Sequence, residues 1–327
     1  MATTPDTIPC PLCFGSALVL NPAHPGYQEG ETWRVAECGR CDVQFAAPLT
    51  PGEAIYERIY EHARTLPGYS RYAWYASQVA RLRRPLEWLA AQEEMYAFIA
   101  AELALRGPTR TGQVLEVGSG LGYLTFALHA AGYQVRGLEL STRAVEAARS
   151  RFGDLYAVQD ISRADPAVDG ADVVVMTEVL EHVTDPAALI ASLARLLRPG
   201  GTALVTTPNK SAAPRNAYWL TDNPPVHLWW FSETTLRLLG AKAGLQVSFG
   251  VTAPRVALPA LPSYFDTAGA QIHPSPLVRS LMLRLPSALH RVAALLRARR
   301  QRQTARDGAA ERHGSMCVVL RKPGGGA

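Results

Sequence analysis

From residue 112 to about residue 251, short apolar runs alternate with stretches whose apolar positions recur every three or four residues. VLEVG, QVRGLEL, LYAVQD, DVVVMTEVL and TALVTTP have the length and β-branched content of strands, whereas TFALHAAG, TRAVEAARSRF and the segment after Asp185 carry the helical period. This alternation predicts an α/β fold: a parallel sheet with helices on both faces. The helix after the fourth strand is punctuated by Asp185 as its cap, Pro186 in its first turn and Gly200 at its expected end. Ser232 stands where it can cap the next helix, SETTLRLLGAKAGL.

Outside this block the pattern changes. Residues 1–50 hold Pro, Gly and Cys without helical periodicity and predict a ribbon-like module. Over residues 51–111, Ile55, Ile59, Tyr60, Leu86, Leu89, Met95, Phe98 and Ile99 recur at helical steps and predict a helical cap on a core domain of residues 112–253. Residues 254–327 divide into a Pro-rich segment, a basic amphipathic helix from about 276 to 303, and a strand-like run, SMCVVLRK. In that helix Leu281, Leu285, Leu289, Val292, Leu295 and Leu296 lie beside Arg284, Arg291, Arg297, Arg299, Arg300 and Arg302. A docked helix with a solvated face satisfies the pattern, and so does contact with a membrane surface or an anionic partner.

With 327 residues and 48% apolar composition, the chain can bury one catalytic core and a smaller module. No apolar run approaches the roughly 18 residues of a membrane span, and MATTPDTIPCPLC lacks a leader pattern, which predicts a cytoplasmic protein. The net charge of +5 is local, because Arg279 to Arg306 holds eight arginines and no acid. That argues against a nucleic-acid-binding surface across the whole molecule.

Four of the five cysteines form two Cys-x-x-Cys knuckles, Cys10/Cys13 and Cys38/Cys41, separated by 24 residues. Two thiolates per knuckle can meet one zinc ion tetrahedrally, and a closed four-thiolate set leaves no open position, so the expected ion is structural. In a reducing compartment disulfides explain the spacing less well. Only Arg34 and Arg40 add positive charge near the knuckles, so partner binding or support of the cap suits the ribbon better than nucleic acid. Cys317, within an apolar run, is expected to be a buried strand residue.

The candidate chemistry begins at Glu116-Val117-Gly118-Ser119-Gly120-Leu121-Gly122, where the first strand turns into the first helix. Its glycines let a ligand approach the backbone. The spacing G-x-G-x-G differs from the G-x-G-x-x-G dinucleotide loop. Glu139 ends the second strand and can accept two ribose hydroxyls, while Asp160 follows the third and can accept from an adenine amino group. Three acids at three successive strand ends fit one adenosine ligand.

LEVGSGLG, Glu139, Asp160, EVLEHV (178–183) and LLRPGG (196–201) together resemble a class I methyltransferase dependent on S-adenosylmethionine (SAM), of the type 11/23 kind related to the ubiquinone-pathway O-methyltransferases. The resemblance implies a doubly wound, Rossmann-like, mostly parallel sheet of seven strands, with LQVSFGV as the sixth and SMCVVLRK as an antiparallel seventh. It further implies cofactor contacts at Glu116, Gly118, Ser119, Gly120, Gly122, Glu139, Leu140, Asp160, Ile161 and Glu178.

Glu178, Glu181 and His182 have i, i+3, i+4 spacing and on a helical turn would project to one side, where His227 could complete a set. His182 is the candidate general base for a hydroxyl acceptor. The four residues are similar to the Glu-x-x-Glu-His plus distant His of small-RNA 3′-terminal 2′-O-methyltransferases and of the ubiquinone-pathway enzymes, which implies a divalent site for Mg²⁺ or Mn²⁺; pocket lining is the plainer alternative. Asn223 to Ser232, with Trp229 and Trp230, is expected to border the acceptor pocket, and the tyrosines at 56, 60, 69, 72 and 75 fit either helix packing or an acceptor lid.

The expected function is SAM-dependent O-methylation of a small hydroxylated metabolite. The alternatives are C-methylation of a keto sugar, suggested by a similar Cys-rich start in sugar C-methyltransferases, 2′-O-methylation of RNA, and a non-catalytic SAM-binding interaction protein.

Overall fold

In the computed structural model, the described residues are 6–28, 30–50, 53–63, 69–107, 111–212, 223–250 and 314–324. The chain opens as an antiparallel meander of β1 (Thr7–Pro9), β2 (Ser16–Pro25), β3 (Thr32–Cys38) and β4 (Val43–Ala47). One Cys-x-x-Cys knuckle makes the turn after β1 and the other makes the turn after β3, so the tight reversals bring the four thiols together. Helices α1 (Glu53–His62), α2 (Ser70–Gln78), α3 (Pro85–Gln92) and α4 (Glu94–Ala104) follow, and the expected apolar positions Ile55, Ile59, Leu86, Leu89, Met95, Phe98 and Ile99 are buried.

The core runs β5 (Gln113–Val117), α5 (Tyr123–Ala130), β6 (Gln134–Glu139), α6 (Thr142–Phe152), β7 (Tyr156–Val158), α7 (Pro166–Asp169), β8 (Ala171–Thr177), α8 (Pro186–Leu196) and β9 (Leu197–Pro208). It closes with β10 (Trp229–Trp230), α9 (Glu233–Lys242), β11 (Gln246–Phe249) and β12 (Ser315–Arg321). Seven strands form one sheet in the order β11-β12-β9-β8-β5-β6-β7, with β12 antiparallel to both neighbours. The strand order reverses at β5, flanked by β6 and β8, so the carboxyl ends of these three strands frame the crevice where such sheets bind ligands.

Alternating side chains split the interior in two. Val114, Val173, Val175, Leu204, Val319 and the expected buried Cys317 face one side, under α3 to α6. Leu115, Val117, Val174, Met176, Val205 and Val318 face the other, under α8 and α9, and there the apolar cluster continues into Cys10, Cys38, Val43, Phe45 and Trp229. The ribbon therefore shares a core with the sheet. One reason is β10, a two-residue strand that leaves the core sheet and pairs antiparallel with β4 as the fifth strand of the ribbon.

Local signals mostly act as expected. Asp185 accepts from the amide of Ala188 and Pro186 occupies the first turn of α8; Ser232 accepts from the amide of Thr235 in a capping box. Gly200 does not end α8. That helix stops at Leu196, because Pro199 disfavours helical geometry at Arg198, and Gly200 instead takes a left-handed φ of 78° within β9. The Pro-rich segment and the basic helix expected over 276–303 lie outside the described residues. Among the described residues no helix is long and apolar enough to cross a membrane.

Candidate active site

The turn after β5 places the glycine loop against the end of β6. The amides of Gly118 and Ser119 both donate to the Leu138 carbonyl, at 2.8 and 3.0 Å, and the amide of Gly120 donates to Glu139 Oε2 at 2.9 Å. Gly118, Gly120 and Gly122 all have positive φ, and a Cβ at Gly118 would lie 2.4 Å from Val179 Cγ2. The chain needs glycine there to let the loop pass beneath the turn that follows β8.

Glu139 is held from both sides. Its Oε1 accepts from the amides of Leu140 and Ser141, at 2.8 and 3.1 Å, and its Oε2 also accepts from the hydroxyl of Tyr60 on α1 at 3.3 Å. Beside it the side chain of Leu140 is 68% exposed, an apolar surface next to a hydroxyl acceptor. Asp160 caps the short turn of residues 161–163 by accepting from the Ser162 amide at 2.8 Å, and Ile161 is buried beneath it. Ser119 Oγ is buried without a hydrogen-bond partner in the protein. Glu116 is buried and accepts a short hydrogen bond from the Thr125 hydroxyl; burial outweighs that bond and pushes its carboxyl up to about 8. At neutral pH Glu116 therefore carries a proton before any ligand arrives.

The second half of the site follows β8. Glu178 has a φ of 52°, an unusual left-handed position for a non-glycine residue, and this breaks the helical turn expected through residue 182. A short 3-10 turn covers only Leu180–His182. The Thr206 hydroxyl donates to Glu178 at 3.0 Å and the Thr207 hydroxyl donates to Glu181 at 2.9 Å. Neighbouring residues of a strand face opposite ways, so β9 draws the two carboxylates apart. Glu181, His182 and His227 do converge, with one donor atom from each within 4.8 Å of the others, and Glu178 does not join them.

His182 Nδ1 lies 2.6 Å from the Val226 carbonyl, which can only accept, so Nδ1 carries the hydrogen and Nε2 holds the lone pair. The Tyr56 hydroxyl donates to the same carbonyl at 2.8 Å, and its ring meets the imidazole edge-on with centroids 5.5 Å apart. The His227 ring lies 4.6 Å from that of His182. Burial lowers His182 to about 4, against the pull of the Val226 and Glu178 carbonyls, and burial with the nearby His182 lowers His227 well below the usual histidine range. Both rings are neutral at pH 7.

Trp229 and Trp230 are buried; the Trp229 indole donates to the Val183 carbonyl at 2.7 Å. Of the tyrosines, Tyr72 stacks on Tyr123, and Tyr75 donates to Glu93 at 2.7 Å, so this group knits α2, α4 and α5 together. The tyrosines that reach the site are Tyr56 and Tyr60. They are two of the five tyrosines expected to serve either in helix packing or as an acceptor lid, and their i, i+4 spacing on one amphipathic helix is the signal that sets them apart.

The cysteines form a separate centre. All four are free thiols, with Sγ atoms 3.6 Å apart for Cys10 and Cys41, 3.4 Å for Cys13 and Cys38, and all within 4.8 Å of one another. Four sulfurs at about 2.3 Å from one zinc ion would lie about 3.8 Å apart, so the set fits a closed tetrahedral site. Burial and neighbouring thiols push Cys41 far above the ordinary thiol range. At Cys38, burial acts the same way, but the Cys41 and Arg40 amides and the Cys13 thiol prevail and bring it to about 7. A divalent cation would relieve that mutual opposition to ionisation.

Residues 90–248 match the family described as a methyltransferase domain. This span contains the glycine loop, Glu139, the 178–182 turn and His227, on the seven-stranded sheet described above. Residues 90–248 carry a methyltransferase domain, whose sheet is completed by β12 at Ser315–Arg321. The domain is similar to ubiquinone biosynthesis O-methyltransferases of Thiobacillus denitrificans, at 37% identity over 115 residues, 33% of this chain and 49% of that protein. It is also similar to the protein of that name from Xanthomonas campestris pv. campestris, at 36% identity over 124 residues, 36% of this chain and 49% of that protein. The chain spans about half the length of these curated relatives. Among solved structures, the methyltransferase domain and its surroundings are similar to the S-adenosylmethionine dependent methyltransferase from Mesorhizobium loti, at 17% identity and a TM-score of 0.44 over 71% of this chain and 99% of that one.

Proposed function

We propose that the protein is a SAM-dependent methyltransferase that methylates oxygen on a small hydroxylated acceptor of sugar, quinol or natural-product type. The observation that carries this is Glu139, a carboxylate fixed by three backbone amides above a glycine loop and already accepting a hydroxyl, that of Tyr60. A carboxylate so prepared suits the ribose hydroxyls of the cofactor.

The residues around it fit the rest of SAM. The exposed Leu140 side chain offers an apolar surface for the adenine, with Asp160 and Ile161 at its edge; Ser119 Oγ is a buried polar atom in want of a partner; Gly120, where an added Cβ would meet nothing nearer than the Tyr60 hydroxyl at 3.6 Å, leaves room for close approach, while Gly118 and Gly122 let the loop pack against Val179, Ala148 and Tyr156. Glu116 and Glu178 complete the contact set. When bound, SAM supplies a methyl group on a positively charged sulfur, and the protein's task is to align the acceptor oxygen with it. His182 is the group we assign to the acceptor proton. Its Nδ1–H is committed to Val226, its Nε2 carries the lone pair, and Tyr56 buttresses the carbonyl that holds the ring. Glu181 and His227 lie beside it to orient the protonated ring. The four-cysteine set is assigned one structural zinc ion.

The convergence of Glu181, His182 and His227 also supports a metal-assisted variant, in which a divalent ion such as Mg²⁺ or Mn²⁺ engages adjacent acceptor oxygens. Calorimetric titration of SAM, followed by incubation with methyl-labelled SAM and a panel of catechols, hydroquinones and reducing sugars, tests the assignment. Binding that is lost in Glu139→Ala, with label appearing on an oxygen, is the expected result; no SAM binding by the wild-type chain would refute it.

A further inference from the structure

We infer that the cysteine ribbon is the positioning element of the transfer site, acting through the strap of residues 226–231 that carries His227. This rests on the assignment of His182 and His227 to that site. Leu228, next to His227, is bonded on both sides. Its carbonyl accepts from the Ala46 amide on β4 at 2.9 Å, and its amide donates to the Glu181 carbonyl at 2.8 Å. One residue thus ties the ribbon to the turn that carries Glu181 and His182. The two residues that follow, Trp229 and Trp230, pair with Phe45 and Gln44 of β4, and Phe231 returns to the core by accepting from the Lys210 amide at 3.0 Å. At the other end of the strap, the Tyr27 amide on the β2–β3 connection donates to the Pro224 carbonyl at 2.7 Å.

The knuckles themselves are anchored to the same region. The Thr235 hydroxyl at the start of α9 donates to the Cys41 carbonyl at 2.9 Å. Lys210, just past the end of β9, is ion-paired with Glu37 at 2.8 Å and with Asp42, which flank the second knuckle, and the Lys210 and Glu37 side chains are largely buried. Apart from the parallel bridge of Phe231 to Asn209 just past β9, the strap takes its strand pairing from the ribbon. Among the described residues its strand, β10, pairs with β4 alone. The geometry of β4 starts at Cys41, and an ion held by the four thiols would fix the register in which β4 presents Ala46 to Leu228. By contrast, the hydrogen bonds that shape the glycine loop and Glu139 come from β6, α1 and the loop itself, not from the ribbon.

The inference separates the two halves of the site, and hydrogen exchange can read them apart. The full chain, purified with its metal, is compared before and after zinc is withdrawn by a chelator. Amide exchange is followed in peptides covering 226–231 and 115–141, together with calorimetric titration of S-adenosylhomocysteine. Exchange over 226–231 is expected to rise about tenfold or more, while the 115–141 peptide and the affinity change by less than about threefold. Ala46→Pro, which keeps all four cysteines but removes the donor to Leu228, should loosen 226–231 in the same way with zinc still bound. Unchanged protection over 226–231 in either case would overturn the inference. So would parallel loss of protection in both peptides on zinc removal, since the ribbon would then be a general folding element. Failure of the metal-loaded chain to bind S-adenosylhomocysteine would instead count against the proposed function, leaving the exchange result interpretable.

Discussion

The Tyr60 hydroxyl donates to Glu139 Oε2 at 3.3 Å, so helix α1 places a hydroxyl of its own on the carboxylate assigned to the cofactor's ribose. The cofactor must take over that bond. Removing the competitor with Tyr60→Phe keeps the ring and its packing and frees the acceptor. A net hydrogen bond of about 1 kcal/mol corresponds to roughly fivefold, so SAM should bind about fivefold more tightly to Tyr60→Phe than to the wild type. Calorimetry measures this directly; weaker binding would mean that Tyr60 stays and contacts the cofactor.

Glu116 makes the ligand-free protein sensitive to pH in a direction opposite to most carboxylates. Its folded pKa, raised by burial from 4.5 to about 8, means that between these values the folded chain holds a proton that the unfolded chain has released. The stability that Glu116 contributes is therefore complete below about 4.5, falls as pH rises through this window and is lost above about 8, while the buried His24, His182 and His227 act in the opposite sense below about 6.5. At about 1.4 kcal/mol per pH unit, the upper limit of the effect is about 5 kcal/mol. Urea unfolding between about pH 6.5 and 8, where the buried histidines are neutral in both states, should show the decline, and Glu116→Gln should flatten it there. A wild-type profile as flat as the variant's would show that Glu116 is ionised in the fold.

Gly118 is required for two separable reasons. A methyl group there would overlap Val179 Cγ2 at 2.4 Å, and the φ of 73° is costly for any residue with a Cβ. Gly118→Ala should lose about 3 kcal/mol from overlap and backbone strain together, and SAM binding with it. Adding Val179→Ala removes the overlap and should recover part of the loss, leaving about 1–2 kcal/mol from the backbone. Denaturant unfolding of the single and double variants separates the two; complete recovery would mean the backbone contributes nothing.

Residues that act through their neighbours in sequence were legible beforehand. The alternation of periods gave the strands and helices of the sheet, Asp185 and Ser232 gave two helix starts, and SMCVVLRK read as a strand, whose antiparallel place as the seventh came from the family resemblance. What escaped depends on partners far along the chain. A two-residue strand such as Trp229–Trp230 has no period to detect, and only β4, more than 180 residues earlier, makes it a strand. The spread of Glu178 from Glu181 follows from Thr206 and Thr207 pointing to opposite sides of β9, where a helical count places both acids on one face. Tyr60 read as either packing or part of an acceptor lid, and nothing local in its helix announces Glu139.

His182 distinguishes base catalysis from metal assistance. Because burial lowers it to about 4, the neutral ring persists across the physiological range, and its contribution to methyl transfer should fall on the acid side near pH 4, not near 6.5. Stability has the same sign: the unfolded chain binds the extra proton between these values, so the contribution of His182 is complete above about 6.5 and is lost as pH falls toward 4. If His182 acts alone as base, His182→Ala should reduce the labelled-methyl rate on a catechol or hydroquinone acceptor by about 10²- to 10⁴-fold, leave SAM affinity nearly unchanged, and be indifferent to added Mn²⁺. If the triad with Glu181 and His227 holds an ion, the wild-type rate should instead vanish after chelation and return with Mn²⁺, and His227→Ala should be as damaging as His182→Ala. The two cases differ in the behaviour of His227, which as a mere neighbour of a base would cost far less. Because the chelator also strips the ribbon, the test needs a zinc-replete sample, with zinc content measured alongside the rate.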